Sequence, residues 1–559
     1  MIPTIYQQHI LQEIPRLLSY LDRECFSPSY GCFDRFHWAW GAIDIANADL
    51  QKFTLPLAYV YQCNSPDNPY YQQPSLLSWI EAAIQFCCAE QSRQGGFNQW
   101  LPNDNSIVSA GFVMHDLILV AELLVSQLTQ ETIKQLEKAA LRAANLLIRF
   151  EERHGFNSNH HLANATALLD IHQWLPHASQ TARCHTRALD IIRQVLKHQA
   201  PSGAFYEYAG ADLGYHTLGL AFLAACYVRH PADFILKSLR AAVQFSARFI
   251  NPVSGNGGGY GTRGTHLLYP SGFEIAARHG IHPELPEQIA AIIADNLTVT
   301  PHNTDLTNLI PLLSDYTRVC LLPAITIAHH EASPALNDFF CETTTLFAYP
   351  RGTCLLHGRL NGGMLMIHSL QQQKILLSSA GYTVECGKIK GFSGIFNGTW
   401  TREGNRLSFK TRFQKTNRIR LTPFQLIALR SYFFWLGNIM FFNLLVKKIM
   451  AWLLIFKQTY LNLTLDRQIL IQPTHVQITD RVTNHTRRTF TLRHCEQGYI
   501  HFMGSARYFD ASHLRLANPP SIRERKNQSA ERTTQLHDVW TLYPEDCIEL
   551  SFTIPLDAA

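Results

Sequence analysis

The first 330 residues carry apolar side chains at intervals of three and four, which is the spacing of one face of an α-helix. The segments IKQLEKAALRAANLLIRFEERH (133–154) and TLGLAFLAACYVRH (217–230) show this pattern. Short loops rich in Gly, Pro, Asn and Asp separate the helical segments. Successive helical hairpins without a strict sequence repeat predict a toroid or solenoid of paired helices.

The pattern changes near residue 335. Short runs rich in β-branched and aromatic residues begin at Phe339, among them TTTLFAYP, GGMLMIHSL, KILLSSAGYTV, HVQITDRV, TFTLRHC and CIELSFTI. Turn residues bound these runs, which is typical of an antiparallel β-sandwich. Helices followed by strands predict two domains, residues 1–330 and 335–559, rather than a mixed α/β fold.

One segment of the second half breaks the β pattern. Seven Lys and Arg residues lie within 402–420, where Glu403 is the only acid. The stretch at about 421–457 is apolar and aromatic, but its longest uncharged run, Ser431 to Val446, is shorter than the roughly 18–20 residues that span a bilayer. We predict a helical insertion that lies in the interface of an anionic membrane. A buried hairpin covering one sheet and a subunit interface are the alternatives.

Composition narrows the function classes. The net charge of +5 is small for 559 residues, so we expect no nucleic-acid partner. The 13 cysteines form no CxxC pair or zinc-like spacing, as in proteins of a reducing compartment. Residues 1–21 show no secretory leader. We therefore expect a cytoplasmic location, with peripheral association at the inner membrane through the insertion.

Three segments of the helical half concentrate polar and aromatic side chains. The first, GFNSNHHLANATALLDI (155–171), places Asn159 and His160 at the start of an apolar helical run. A helix N-terminus offers free N–H groups and a positive dipole end, which suit a bound carboxylate. A plain helix cap with polar neighbours is the alternative.

The second segment is GAFYEYAGADLGYHTLGLAFLA (203–224). It carries carboxylates, phenols and an imidazole ahead of another helix, namely Glu207, Tyr208, Asp212, Tyr215 and His216. A tyrosine in the first turn of a helix and near positive groups loses its proton more readily. The alternative is a loop in which the tyrosines pack and Asp212 caps the helix.

The third segment, NPVSGNGGGYGTRGTHLLYPSGFE (251–274), is rich in glycine. It has neither a GxxxxGK[ST] motif nor a preceding strand, which argues against a nucleotide site. It presents instead side chains suited to an anionic, hydroxyl-rich ligand, namely Arg263, His266, Tyr269 and Glu274.

Together the three segments supply amide, imidazole, phenol and guanidinium groups. This set suits removal of a proton next to a carboxylate, because the amide and the cation neutralise the carboxylate while a tyrosine or histidine takes the proton. Hydrolysis of a glycoside would require paired carboxylates, and Glu207 with Asp212 keeps that alternative open. We predict no cofactor and no catalytic metal, and the sequence shows no ligand spacing for a structural divalent cation.

The order of these motifs resembles that of the heparinase II/III-like polysaccharide lyases over nearly the whole chain. The run from Phe156 to His160, followed by small residues, resembles the Asn-His helix start of that family. The run from Glu207 to Gly219, with Tyr215 four residues before Gly219, resembles its Glu-Gly-…-Tyr-…-Gly motif. The resemblance implies an N-terminal (α/α) toroid, expected as an incomplete barrel, followed by an antiparallel β-sandwich.

The same resemblance implies an activity and residue roles. It implies a lyase that cleaves a uronic-acid-containing glycan by β-elimination, with Tyr215 as the proton-transferring group. Asn159 and His160 would bind and neutralise the uronate carboxylate, and Arg263 and His266 would bind the substrate.

Two earlier segments resemble turns that line the cleft of such lyases. GCFDRFHWAW (31–40) and GFNQWLPNDNS (96–106) offer Asp34, Arg35, Trp100 and Asn103. The family also recruits a histidine from the sandwich. His357, His368 and His494 are the candidates, and the sequence does not choose among them.

Two other functions fit the same residues. A uronate C5-epimerase uses the same proton abstraction but returns the proton to the opposite face. A non-catalytic glycan-binding protein of exopolysaccharide or capsule biosynthesis would keep the cleft without the chemistry. All these hypotheses share an anionic polysaccharide as the partner.

Overall fold

The computed structural model describes residues 2–152, 155–207, 210–323, 337–394, 398–416, 421–453, 457–496, 498, 522–526 and 539–556. Of the residues singled out above, Tyr208 lies outside this described part.

The described residues up to 323 form helices wherever the three-and-four spacing is strong. Their bounds are α1 (Ile2–Tyr20), α2 (Arg35–Trp38), α3 (Thr54–Gln62), α4 (Pro74–Glu90), α5 (Ile107–Leu123), α6 (Gln130–Arg149), α7 (Ser158–Trp174), α8 (Thr181–His198), α9 (Leu213–Arg229), α10 (Asp233–Ala247), α11 (Ser271–Arg278), α12 (Leu285–Ala294) and α13 (Leu306–Leu321). Helix α6 shows why the pattern works: Leu136, Ala139, Ala140, Ala143 and Leu147 are buried along one face.

The helices form two concentric rings. In the inner ring α3, α5, α7, α9, α11 and α13 pack each against the next, and α13 packs against α3. The outer helices α4, α6, α8, α10, α12 and α1 pack behind the inner ones. The predicted toroid is confirmed. Because inner and outer helices alternate along the chain, the N-termini of the inner helices gather at one end of the ring.

Buried ion pairs tie the inner helices together. Asp116 of α5 accepts a hydrogen bond from Arg318 of α13 and lies 3.7 Å from the Lys52 ammonium. Asp170 of α7 bonds Arg229 of α9 at 2.7 Å and His115 of α5 at 2.6 Å. Charges this deep require such partners.

The second half of the chain forms strands. Their bounds are β1 (Phe339–Phe340), β2 (Leu346–Arg351), β3 (Cys354–Arg359), β4 (Met364–Ser369), β5 (Lys374–Ser379), β6 (Tyr382–Cys386), β7 (Ile389–Phe392), β8 (Thr399–Glu403), β9 (Arg406–Lys415), β10 (Tyr460–Ile471), β11 (His475–Asn484), β12 (Phe490–His494), β13 (Ile522–Lys526), β14 (Val539–Leu542) and β15 (Cys547–Pro555).

The strands make two antiparallel sheets around one apolar core. The smaller sheet has the order β1-β2-β3-β4-β5. The larger sheet has the order β13-β15-β11-β10-β9-β7-β6-β12-β14, and β8 pairs with β9. Burial alternates along β11, where Val476, Ile478, Asp480 and Val482 point inward. The predicted antiparallel sandwich is confirmed. The predicted domain boundary, near 330–335, falls outside the described residues.

A helical hairpin interrupts the sandwich between β9 and β10. It consists of α14 (Pro423–Leu436) and α15 (Met440–Ala451). In the described part of the chain, no helix combines the length and the apolar character needed to cross a membrane. The hairpin docks on the toroid, at the loop before α5, where Asn443 donates to the Asp104 carbonyl.

A shared apolar core joins the two domains on the other side of the structure. Phe245, Phe249 and Tyr260 of the toroid pack with residues of the sandwich that include Leu346 and Met364.

Candidate active site

The first turn of α7 is tied to the segment that precedes α9. The Asn159 amide group donates to Glu207 Oε2 at 2.8 Å, and the Asn159 backbone N–H donates to Glu207 Oε1 at 3.1 Å. The backbone N–H and hydroxyl of Ser158 both donate to the Tyr206 carbonyl, at 3.1 and 2.7 Å. A single bridge pairs Asn157 with Glu207. These hydrogen bonds thus hold the polar first turn of α7 in a fixed position.

The Glu207 carboxyl group is buried beside the first turn of α7. Burial raises the pKa of Glu207 well above its ordinary value, although the bonds from Asn159 oppose the shift. The Asn159 Oδ1 atom is buried and has no partner among the described residues.

The first turn of α9 carries Tyr215. Asp212 precedes this helix and accepts a bond from the Tyr215 backbone N–H at 3.0 Å. The same carboxylate accepts the Arg263 backbone N–H at 2.9 Å, and it also accepts the Thr265 hydroxyl. Asp212 therefore fixes the glycine-rich loop against α9. This loop places the Arg263 guanidinium 5.8 Å from the centroid of the half-buried Tyr215 ring.

A glycine brings α7 and α9 close together at this point. Gly219 lies one turn after Tyr215, and a Cβ atom placed there would stand 3.8 Å from the Asn159 Cα atom and 3.1 Å from the Phe205 ring. A larger residue would press on the Phe205 ring. Asn159 and Tyr215 thus lie in the first turns of two adjacent inner helices, and Arg263 lies beside the Tyr215 ring.

His160 lies on the side of α7 that faces α5. Its Nδ1 atom is 2.8 Å from Glu152 Oε2, and its ring meets Phe112 edge-on at 6.0 Å between centroids. The Glu152 carboxylate fixes the imidazole, which leaves Nε2 for a ligand. Neither Glu152 nor Phe112 was predicted from the sequence.

Lys447 of the hairpin is a second unpredicted residue of this region. Its ammonium group donates to the Asp104 carbonyl at 2.7 Å. Burial lowers the pKa of Lys447, whereas the negative charges of Asp104 and Glu152 act in the opposite direction. Lys447 of the hairpin thus adds a positive charge that acts on Glu152, the carboxylate bonded to His160. No sequence signal pointed to it, because Lys447 lies far along the chain from Glu152.

Several predicted substrate-binding residues have structural partners instead. His216 is buried, with Nδ1 accepting from the Phe205 backbone N–H and Nε2 bonded to the Ala242 carbonyl. Burial lowers the pKa of His216 to about 4, so the ring is neutral. Asp212 is committed to the helix cap and the loop. The structure therefore gives both residues a scaffolding part, and the substrate contacts expected of them are not supported.

Some of the candidate residues of the third segment, 251–274, are likewise buried among structural partners. His266 is half-buried beside Gly259 in the glycine-rich loop. Tyr269 is fully buried near Tyr215, and burial raises its pKa. Glu274 is buried, with Arg278 as the opposing charge, and burial raises its pKa to about 7. The charge of Glu274 also contributes to the raised pKa of the buried Tyr6.

The two early turns lie at the rim. Asp34 is a helix cap that accepts the backbone N–H groups of Phe36 and Asn47, and Arg35 donates to the Ser19 carbonyl. These contacts give both residues a structural part. The Trp100 side chain is 61% exposed and available to a sugar ring. Asn103 donates to the Phe434 carbonyl at 3.4 Å, so it belongs to the seat of the hairpin.

The three sandwich histidines are buried or bonded. His357 packs against His368 at 5.2 Å and against Phe249 of the toroid at 5.5 Å. His494 bonds the Ser379 hydroxyl at 2.9 Å. Burial lowers the pKa of all three imidazoles. These contacts place them in the domain interface and the sandwich.

The described residues contain no group of three His, Cys, Asp or Glu side chains that could hold a metal ion. The site is built instead from hydrogen-bond donors and cations at the N-termini of inner helices.

An (α/α) toroid followed by antiparallel sheets is the fold of a class of polysaccharide lyases. Three solved structures share it with this chain. They are a chondroitin AC lyase of Streptomyces coelicolor A3 in complex with chondroitin sulphate, heparinase III, and a Paenibacillus xanthan lyase.

The chondroitin AC lyase is 10% identical, with a TM-score of 0.52 over 87% of this chain and 68% of that one. Heparinase III is 10% identical, with a TM-score of 0.50 over 91% of this chain and 77% of that one. The xanthan lyase is 9% identical, with a TM-score of 0.53, and this chain, covered completely, spans 57% of its length.

No family model matches the sequence, and no curated protein matches it. The predicted resemblance to lyases is therefore confirmed as a likeness of fold.

Proposed function

We propose that this protein is a polysaccharide lyase that cleaves a uronic-acid-containing glycan by β-elimination. The observation that carries the proposal is the meeting of Asn159, Tyr215 and Arg263 where α7 and α9 approach at Gly219. This set can both neutralise a carboxylate and move a proton. The fold shared with three solved lyases supports the same class of reaction.

The carboxylate of the uronate is held at the start of α7. The Asn159 amide and the positive end of the helix dipole face it. Burial raises the pKa of Glu207, which favours the uncharged form of this acid behind the amide. Neutralising the carboxylate makes the proton on the adjacent carbon, C5, more acidic. His160, fixed by Glu152, supplies a further donor on the same helix turn.

Tyr215 then transfers the proton. Tyr215 acts as a phenolate, which the Arg263 cation beside the ring stabilises. The phenolate oxygen removes the C5 proton, the electron pair forms a double bond between C4 and C5, and the bond from C4 to the glycosidic oxygen breaks. The phenol formed in this way donates the proton to the leaving oxygen, so the products are an unsaturated uronate and a free hydroxyl, and the phenolate is regenerated.

Hydrolysis has less support. Glu207 and Asp212 are both fully buried and bonded to protein donors, whereas a hydrolase needs two carboxylates that face the sugar from opposite sides.

The test is an incubation of the purified protein with a panel of uronate polysaccharides in deuterated water, followed by ultraviolet absorbance and mass spectrometry. An unsaturated uronate is the expected product. Tyr215→Phe should lower kcat by about 10²–10⁴-fold. Tyr206→Phe, the same change at a neighbouring exposed tyrosine, should not. Deuterium at C5 without chain cleavage would show a C5-epimerase instead. Full turnover by Tyr215→Phe would exclude the proposed mechanism.

A further inference from the structure

The outer face of the α14–α15 hairpin is an exposed apolar surface. Twelve of the large hydrophobic side chains that are exposed in the described part of the chain lie within 421–453. They are Leu421, Phe424, Leu426, Ile427, Phe434, Trp435, Ile439, Phe441, Leu445, Ile449, Trp452 and Leu453. Soluble proteins rarely leave a patch of this kind uncovered.

On α15 the exposed apolar residues follow helical spacing through Phe441, Leu445 and Ile449, and Trp452 continues this face at the helix end. Helix α14 buries only Phe433 and exposes apolar side chains over most of its surface, Phe424, Ile427 and Phe434 among them. The hairpin therefore turns apolar side chains outward along both helices, as helices do when they lie in a lipid interface.

The inner face of the hairpin is seated on the toroid by specific polar contacts. Asn443 is fully buried, and its amide donates to the Asp104 carbonyl at 2.6 Å. Asn105 donates to the Gly437 carbonyl at 3.3 Å, and Arg430 pairs with Asp44. Met440 belongs to the apolar core of the toroid. The hairpin has a fixed inner side, so its outer side cannot be buried by turning over.

Charge indicates what covers the outer face. Within 421–457, the hairpin and its flanks, the chain has no acidic residue and four basic ones, namely Arg430, Lys447, Lys448 and Lys457. Lys448 lies exposed on α15 between Leu445 and Ile449, and Lys457 is exposed just beyond the hairpin. In a symmetric contact with a second copy, this segment would meet itself and bring like charges together.

We propose that the hairpin docks the protein on an anionic lipid surface. Helices of 14 and 12 residues are about 21 and 18 Å long, which is shorter than the roughly 30 Å apolar core of a bilayer. They lie along the surface, with Phe, Trp, Leu and Ile side chains among the acyl chains and lysines at the headgroups. This proposal does not depend on the reaction that the toroid catalyses.

The experiment is co-sedimentation of the full chain with sucrose-loaded vesicles. One set contains phosphatidylglycerol and phosphatidylcholine, and the other contains phosphatidylcholine alone. We expect binding to the anionic vesicles that weakens at high salt. The double variant Phe434→Ser/Trp435→Ser should weaken binding at least about 10-fold, since it removes two exposed apolar anchors. Lys448→Glu should weaken binding to the anionic vesicles alone.

A matched control is Val228→Ser/Ile375→Ser, which removes two exposed apolar side chains elsewhere on the surface and should bind like the wild type. Thermal unfolding checks that each variant folds, and turnover of a soluble glycan keeps the lipid result separate from catalysis.

Three outcomes would overturn the proposal. The first is that the wild type does not sediment with either kind of vesicle. The second is that the Phe434→Ser/Trp435→Ser variant binds vesicles as tightly as the wild type. The third is that the wild type is a dimer in sedimentation velocity, that this variant dissociates the dimer, and that lipid has no effect. The third outcome would make the face an interface between two copies. Equal binding to both vesicles would overturn the role of anionic headgroups.

Discussion

The Asn159 amide group lies 2.8 Å from the Glu207 carboxyl group, in a part of the toroid from which solvent is excluded. This pair joins α7 to the segment that leads into Tyr215. It sets both the position of the amide and the protonation state of the acid.

The first prediction concerns Glu207→Gln, which cannot ionise. Burial raises the pKa of Glu207 in the folded protein, so the folded chain keeps a proton that the unfolded chain releases above about pH 4.3. The stability of the wild type therefore falls as the pH rises from that value towards the folded-state pKa. Glu207→Gln should lack this loss, and its melting temperature should rise relative to the wild type between roughly pH 5 and 8.

Thermal unfolding at a series of pH values measures this difference. Glu549→Gln, at a carboxylate on the surface of the sandwich, is the control and should follow the wild-type profile. Parallel profiles for Glu207→Gln and the wild type would show that Glu207 is ionised in the folded protein.

The second prediction concerns Lys447→Met. The change keeps most of the side-chain volume but removes the ammonium group that donates to the Asp104 carbonyl. An anionic glycan should then bind less tightly, so KM should rise about 10-fold while kcat changes by less than about twofold. Steady-state kinetics on a soluble uronate glycan measure both constants.

Lys448→Met is the matched control, because Lys448 is the next residue along α15 and is exposed. It should leave KM unchanged on a soluble substrate. Equal effects of the two variants would indicate general electrostatic attraction rather than a specific contact at Lys447.

The third prediction concerns the buried ion pair of the sandwich. Arg467 donates through Nε and Nη2 to Asp480, each at 2.7 Å, and the Tyr382 hydroxyl donates to the same carboxylate at 2.7 Å. Asp480→Asn leaves the guanidinium buried without its countercharge and should cost about 3–5 kcal/mol of unfolding free energy. Urea denaturation followed by circular dichroism measures the loss.

The comparison for this prediction is the Arg481–Glu549 pair on the exposed face of the same sheet. Glu549→Gln should leave the urea midpoint close to that of the wild type, because surface pairs are screened by water. A small effect of Asp480→Asn would mean that water or a neighbouring group compensates the arginine.

The spacing of hydrophobic residues in the sequence predicted which segments form helices better than it predicted the contacts between them. The pattern of 133–154 corresponds to α6, and that of 217–230 lies largely within α9. The sequence also placed Asn159 and Tyr215 at helix starts, and the structure shows both in first turns. These features depend on neighbouring residues, which is the range over which side-chain spacing is informative.

The roles of the remaining site residues depend on contacts with residues that are far away in the chain. Nothing near His216 in the chain indicates that Ala242 occupies one of its ring nitrogens, or that Asp212 holds the Arg263 loop. The position of the hairpin likewise depends on contacts that the sequence does not reveal. Its composition suggested a membrane-facing segment, but its seat depends on Asn443 and Asp104, which are separated by 339 residues.

The hairpin has one further consequence. It leaves the sandwich between β9 and β10 and docks on the toroid, while Phe249 and His357 join the two domains through a separate apolar interface. A chain held together at two distant points resists hinge bending between its halves. It should therefore melt in a single cooperative transition, with the toroid and the sandwich losing their structure together.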